Sequence, residues 1–328
     1  MSQSVLILGA TGRLGQSLAQ AFLAAGWRVK GHARKIPAGG AKIQWITNPL
    51  DDPAELVEAA GPADVVVHAV NPVYTRWQRE ARPLLDAGIA IARRLDALLM
   101  FPGNVYNFGE AMPESLAETV TMQPTTRKGE IRCDMENTLL SATQHGLRAV
   151  ILRAGDFFGG PGRGAWFDIA IAKSLNHGRV TYPGAVDAEH AWAYLPDLAQ
   201  AFVMVAERRN LLQPFQIFHF PGYAVTGERF IAALTQAALQ RDWIAPDAAL
   251  KRTGFPWSLI RLGGWVIPMW RELAEMRYLW ERPHRLDGAR LTEFLGELRQ
   301  TPLDSAVDMA VTELFGQAIA GAGKARAG

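Results

Sequence analysis

Short runs of β-branched and leucine residues alternate with stretches of helical periodicity through the first half of the chain. Residues 5–8, 27–32, 42–46, 65–69, 98–101 and 149–153 read as strands, and the segments between them are long enough to be crossover helices. Crossovers of that length imply parallel pairing. Two helices carry clear end signals: 14–25 stops at Gly26, and a helix from about 128 to 145 stops at Gly146, glycine being the usual residue past a helix C-terminus. The alternation predicts an α/β fold built on a parallel sheet.

After Arg153 the pattern changes. Gly155, Gly159, Gly160, Pro161, Gly162 and Gly164 crowd together, so the chain leaves the sheet in a turning loop. The boundary is placed there: 1–160 is the sheet domain and 161–328 the lobe, with roughly 190–220 returning to the sheet. In that return Asp197 is expected to cap a helix running to about 209, and 215–220 to form a strand. From about Thr226 the reading is mostly helix, and Trp243, Trp257, Trp265, Trp270 and Trp280 lie within it.

Composition narrows the classes. With 328 residues, 49% hydrophobic, 20% charged and a net charge of +2, the chain can bury a core and is neither a disordered tail nor a general polyanion binder, so nucleic acid is not an expected partner. The single cysteine, Cys133, rules out an intrachain disulfide and a cysteine-based zinc site. Seven histidines without ligand spacing give no case for a metal. No basic cluster precedes the apolar run at 5–8, and 255–270 falls short of the roughly 20 residues a span needs. The expectation is a cytoplasmic protein without a membrane partner, and a homodimer is left open.

The first strand runs into Gly9-Ala10-Thr11-Gly12-Arg13-Leu14-Gly15 and then directly into a helix. Glycine there lets the backbone turn sharply and approach a diphosphate, while free N–H groups and the helix dipole stabilise its charge. The plain alternative is a turn used for packing alone. NAD-selective sites place Asp or Glu about 20 residues further on to bind the ribose 2′-hydroxyl, yet no acidic residue precedes Asp51. Arg34 and Lys35 stand instead just past the second strand, where a 2′-phosphate would lie, so NADP(H) is expected over NAD(H). Asp51 or Asp52 is a candidate for the adenine, with helix capping by Asp52 before Pro53 equally open. Ala69, at the end of the fourth strand, is a further cofactor candidate.

These residues resemble the extended short-chain dehydrogenase/reductases, the NAD(P)-dependent epimerase/dehydratase family. Besides Gly9 to Gly15 the likeness rests on Phe101-Pro102-Gly103-Asn104-Val105-Tyr106, on Ile151-Leu152-Arg153 leading to Phe158-Gly159, and on Ala193-Tyr194-Leu195-Pro196-Asp197-Leu198-Ala199. The resemblance implies an α/β fold with a doubly wound parallel-sheet Rossmann domain carrying the dinucleotide and a smaller, mostly helical C-terminal lobe closing over substrate. It also implies a Ser/Thr, Tyr and Lys proton-transfer group, and here the chain departs. The serine position falls on Pro102, and Lys128 and Arg132 stand where the family has Tyr-x-x-x-Lys.

Spacing of four keeps Lys128 and Arg132 on one helical face. Arg132 can bind ribose hydroxyls but cannot release its proton; Lys128 near a guanidinium can act as an acid or stabilise a developing alkoxide. The alternative is a solvated face on which Arg132 pairs with Glu136. Asn104 and Tyr106, at the carboxyl end of a strand, can reach a substrate oxygen, although Tyr106 can equally be a packing residue. Asp156 and Phe157 are set as nicotinamide contacts or local loop structure, His68 as a core histidine, and His190 as facing the cleft. Trp257, Trp265 and Trp270 suit an apolar pocket, a subunit contact or simple packing. Arg153, Arg163 and Arg179 leave room for a phosphorylated or carboxylated substrate. The expected function is an NADPH-dependent reductase, or an epimerase-like enzyme, on a small carbonyl or sugar-type substrate; a cofactor-binding sensor without turnover is the alternative.

Overall fold

The computed structural model describes residues 3–37 and 42–325. Its centre is a seven-stranded sheet. From one edge the strands are Gln44–Ile46, Arg28–His32, Ser4–Leu8, Val65–His68, Leu98–Gly103, Arg148–Arg153 and Phe215–His219, all paired in parallel. The strand residues run almost without a polar break because both faces are covered. Along the first strand Val5 and Ile7 enter a core with Leu18, Phe22 and Phe202, whereas Leu6 and Leu8 enter the opposite one with Leu56, Leu85 and Leu139. The chain winds outward in both directions from Ser4–Leu8, so the order reverses between it and Val65–His68 and leaves a crevice at their carboxyl ends.

Helix Arg13–Ala24 ends at Gly26, whose φ of 79° closes the C-terminal turn as its spacing predicts. Helix Arg127–Thr143 begins under a Thr126 cap, the hydroxyl accepting from the Gly129 N–H at 3.1 Å. The expected cap at Asp197 is corrected: the helix is Leu195–Glu207, and Asp197 lies in its first turn. Its carboxylate instead accepts from the Thr301 N–H at 2.9 Å and hydroxyl at 2.8 Å. That ties the lobe's last helix, Leu303–Ala325, to the sheet domain.

Short strands missing from the sequence reading organise the lobe. Tyr223–Thr226, Glu189–Tyr194 and Asp156–Phe158 form one sheet, and Arg179–Tyr182 pairs with Lys251–Gly254. Of the stretch 190–220, only Phe215–His219 joins the central sheet, beside Arg148–Arg153. The lobe core is aromatic: Trp192 stacks on Phe230 with centroids 4.5 Å apart, and Phe158 touches both. From Thr226 onward helices dominate, including a compact pair, Trp257–Gly263 and Pro268–Ala274.

Candidate functional site

The glycine turn is built for a close approach of backbone to ligand. Gly9 takes a φ of +82°, and a Cβ there would lie 2.9 Å from the carbonyl oxygen of Ala69. A Cβ at Gly15 would fall 2.2 Å from the Gly9 oxygen, so only glycine lets the helix start so near the strand. Gly12 caps the helix with no side chain on its first N–H groups, and the first turn contains no acid. Those donors are therefore available to an anion. Ala10 donates to the His32 carbonyl at 3.0 Å and Gln16 to that of Thr11 at 2.8 Å, which fixes the turn. The Leu14 side chain goes into the core, leaving only its backbone toward the crevice.

Around this turn, Arg13 reaches away from the glycines. It donates to the Gly159 carbonyl at 2.8 Å and pairs with Asp168 at 2.7 Å, fastening the loop after the sixth sheet strand to the turn. Ala33 is buried past the end of Arg28–His32, and Arg34 follows it into solvent. Asp52 caps helix Pro53–Ala60 through the Glu55 N–H, whereas Asp51 sits exposed in the turn before it. Ala69 donates to the Leu8 carbonyl at 2.9 Å, at the crevice edge.

The polar residues expected to do chemistry converge at the neighbouring strand ends. Asn104 spends its side-chain oxygen on the Tyr106 N–H at 3.1 Å, and so shapes the turn that presents Tyr106. The Tyr106 hydroxyl meets that of Tyr74 at 2.9 Å. Arg132 donates to the carbonyl of Pro102 at 3.1 Å and lies over the rings of Trp77 and Phe101 at 4.8 and 5.3 Å. Burial pushes the Tyr106 phenol well above its ordinary pKa, Tyr74 and Asp156 add to this, and Arg132 opposes it. Tyr106 is thus a protonated donor at neutral pH, not a base. Lys128 is placed differently: its Nζ, in a side chain only 1% exposed, lies 2.5 Å from Glu272 and pairs also with Glu275. Its ammonium faces the lobe and the Tyr74 ring.

Asp156 and His190 come together at 2.8 Å, and the other ring nitrogen of His190 faces the Leu279 carbonyl at 3.2 Å. His190 stacks on Trp280 with centroids 4.2 Å apart. His68 is a core histidine, stacked on Phe101, and burial lowers its pKa to about 4. Two expectations are corrected. Glu136 pairs with Arg153 at 2.5 Å, not with Arg132. Arg153, 2% exposed and bonded also to His219, is thereby removed from the residues that could meet a substrate anion. Arg163 donates to the Leu314 carbonyl at 2.8 Å, and Arg179 is exposed. Cys133 is buried, its thiol pushed up to about 11 by that burial.

The sequence profile of the NAD dependent epimerase/dehydratase family matches residues 5–219, which hold the central sheet but for Ser4. The chain belongs to that family. It is 28% identical over 168 residues to dTDP-6-deoxy-L-talose 4-dehydrogenase (NAD(P)(+)) of Kitasatospora kifunensis; this covers 47% of the chain and 52% of the relative, about half its length. In fold it is similar to UDP-glucose 4-epimerase of Thermotoga maritima with UDP-glucose, at 13% identity and a TM-score of 0.74, covering 96% of this chain and 100% of that one. It is likewise similar to UDP-glucuronic acid 4-epimerase of Bacillus cereus in complex with UDP-glucuronic acid and NAD, at 16% identity and a TM-score of 0.72, covering 96% and 100%.

Within this epimerase/dehydratase fold, sequence reasoning did not name Tyr74, Glu272 and Glu275. Tyr74 was findable, since it follows the fourth sheet strand, on the edge where open α/β sheets bind ligands. Glu272 and Glu275 gave no local signal: Glu275 meets Lys128 from 147 residues away. Among the described residues no helix is long and apolar enough to cross a membrane.

Proposed function

We propose that this member of the epimerase/dehydratase family is an NADP(H)-dependent oxidoreductase, a carbonyl reductase or epimerase-like enzyme, acting on a small carbonyl or sugar-type substrate in the cytoplasm. The observation that carries the reading is the side-chain-free helix start at Gly12, next to the strand end where Ala33 is buried and Arg34 projects, with no acid before Asp51. In this reading the backbone of Gly9, Ala10, Thr11, Gly12, Arg13, Leu14 and Gly15 holds the diphosphate, Arg34 takes the 2′-phosphate, and Asp51 and Ala69 border the adenosine and crevice. The bound nicotinamide supplies or removes hydride at a substrate carbon.

Tyr106 donates its proton to the oxygen on that carbon, and Tyr74 holds the phenol by hydroxyl-to-hydroxyl contact. Arg132 stabilises charge developing on the oxygen, since its proton stays in place. Asn104 sets the turn. Lys128 acts as a positioning residue, holding Glu272 and Glu275 of the lobe against the start of helix Arg127–Thr143. Carbonyl-dependent NADPH oxidation over a panel of ketones and keto-sugar nucleotides tests this. Turnover that Tyr106→Phe lowers without changing NADPH affinity supports it, and unchanged turnover in that variant refutes the assignment.

One feature favours a second reading, an NADP(H)-binding regulator without turnover. Pro102 stands where the family serine would be, and the family tyrosine position is Lys128, sealed by two carboxylates. Tight NADPH binding with no oxidation across the panel decides for the regulator.

A further inference from the structure

The pair of helices Trp257–Gly263 and Pro268–Ala274 ends in an apolar tip that nothing in the described chain covers. Leu259, Leu262, Trp265 and Val266 are 56%, 72%, 90% and 85% exposed, and Ile267 and Met269 are exposed beside them. The tip is a built feature. Gly263 lets the Trp270 ring pack so closely that a Cβ would fall 2.2 Å from it, and Ile260 is buried on the inner face. Four large side chains concentrated in eight residues exceed the scattered apolar exposure of an ordinary surface.

Charge identifies the occupant. Residues 248–271 contain Lys251, Arg252, Arg261 and Arg271 and no Asp or Glu. All four cations are exposed. Exposed Asp247 precedes the stretch, Glu272 pairs with Lys128 and, at 3.9 Å, with Arg271, and Glu275 pairs with Lys128, so the tip keeps a positive surface. A second copy would set these cations against each other, and a tip of eleven residues falls short of the roughly 20–30 a stable interface uses on each side. A convex apolar tip with tryptophan at its apex and arginine at its flanks matches a surface with an apolar interior and anionic heads.

We propose that the tip formed by Leu259, Leu262, Trp265 and Val266 inserts peripherally into an anionic lipid surface, with Lys251, Arg252, Arg261 and Arg271 on the headgroups. That no helix among the described residues can cross a membrane does not bear on this, because the hairpin lies in the interface without crossing it. The inference is independent of the reading of the crevice.

The test is flotation of the full chain with phosphatidylcholine vesicles, with and without phosphatidylglycerol, at low and high salt. Wild-type protein floats with the anionic vesicles, at least ten-fold less with neutral ones, and less at high salt. The double variant Trp265→Ser/Val266→Ser, altered only at exposed positions, loses at least ten-fold in vesicle binding while keeping its melting temperature and NADPH titration. Leu262→Gln serves as a second probe should the double variant fold poorly. Wild-type protein that stays in solution, or variants that float as well as it does, overturn the proposal. So does concentration-dependent dimerisation in the ultracentrifuge that the double variant abolishes, because a second copy then covers the tip.

Discussion

Replacing Lys128 with methionine removes the cation that bridges Glu272 and Glu275, leaving Glu272 only the exposed Arg271 at 3.9 Å. The lysine side chain is 1% exposed, that of Glu272 10% and that of Glu275 23%, so the variant strands two poorly solvated carboxylates. Removing one partner of a buried pair costs about 3–5 kcal/mol; the partial exposure of Glu275 puts the expectation at the low end, about 3 kcal/mol. At roughly 1–2 °C per kcal/mol for a chain of this length, the thermal midpoint falls by about 3–6 °C. Thermal and urea unfolding followed by circular dichroism measure it. The triple variant Lys128→Met/Glu272→Gln/Glu275→Gln, with no charge left to strand, should recover more than half of the loss. Turnover in the triple variant then separates a latch from a proton donor, because a latch is repaired and a donor is not. A single variant as stable as wild type, or a triple variant no better than the single one, refutes the reasoning.

Four further outcomes follow from the same geometry. Arg34→Ser should weaken NADPH binding about ten-fold or more, the worth of one charge-assisted contact, and leave NADH binding unchanged in parallel fluorescence titrations. Gly15→Ala, which forces a Cβ to 2.2 Å from the Gly9 carbonyl, should destabilise the fold by about 1–3 kcal/mol and lower the affinity for both coenzymes. Tyr106→Phe should reduce turnover by about 10²–10⁴-fold with the NADPH dissociation constant unchanged, as steady-state kinetics beside a binding titration will show. Stability should fall as pH drops from about 6.5 toward 4. His68, His219 and His284 are buried and depressed to about 4, so the unfolded chain takes up their protons first; stability is fully present above the unfolded value and is lost on acidification. Each histidine contributes on the order of 3 kcal/mol across that window. His219→Gln should flatten the melting profile between pH 7 and 5, because an amide can still accept from Arg153 and donate to the Leu116 carbonyl without titrating.

The sheet domain was legible because its signals are local. Strands buried on both faces read as continuous apolar runs, and Gly26 and Gly146 mark helix ends whatever the tertiary context. The glycine turn was legible for the same reason: its shape depends on contacts within a few residues and on one neighbouring strand end. Strands such as Asp156–Phe158 and Arg179–Tyr182 were missed because three or four residues give no period to detect, and partners distant in sequence define them. The fates of the charged groups were the least legible. Glu136 had Arg132, one turn away on its own helix, as the alternative partner and instead meets Arg153, which the sheet brings to it. Lys128 read as a free acid because the carboxylates that neutralise it belong to the lobe. Asp197 has the sequence position of a cap, but the helix begins two residues earlier, leaving its carboxylate for Thr301.

The central claim is that the turn from Gly9 to Gly15 holds the diphosphate of a dinucleotide, with Arg34 choosing the phosphorylated form. Titration of the purified chain with NADPH and NADH, followed by calorimetry or coenzyme fluorescence, tests it most directly. The expected result is saturable one-to-one binding, tighter for NADPH, with that preference lost in Arg34→Ser. Saturation absent for both coenzymes at millimolar concentration would contradict the whole account, and tighter binding of NADH would contradict the role given to Arg34.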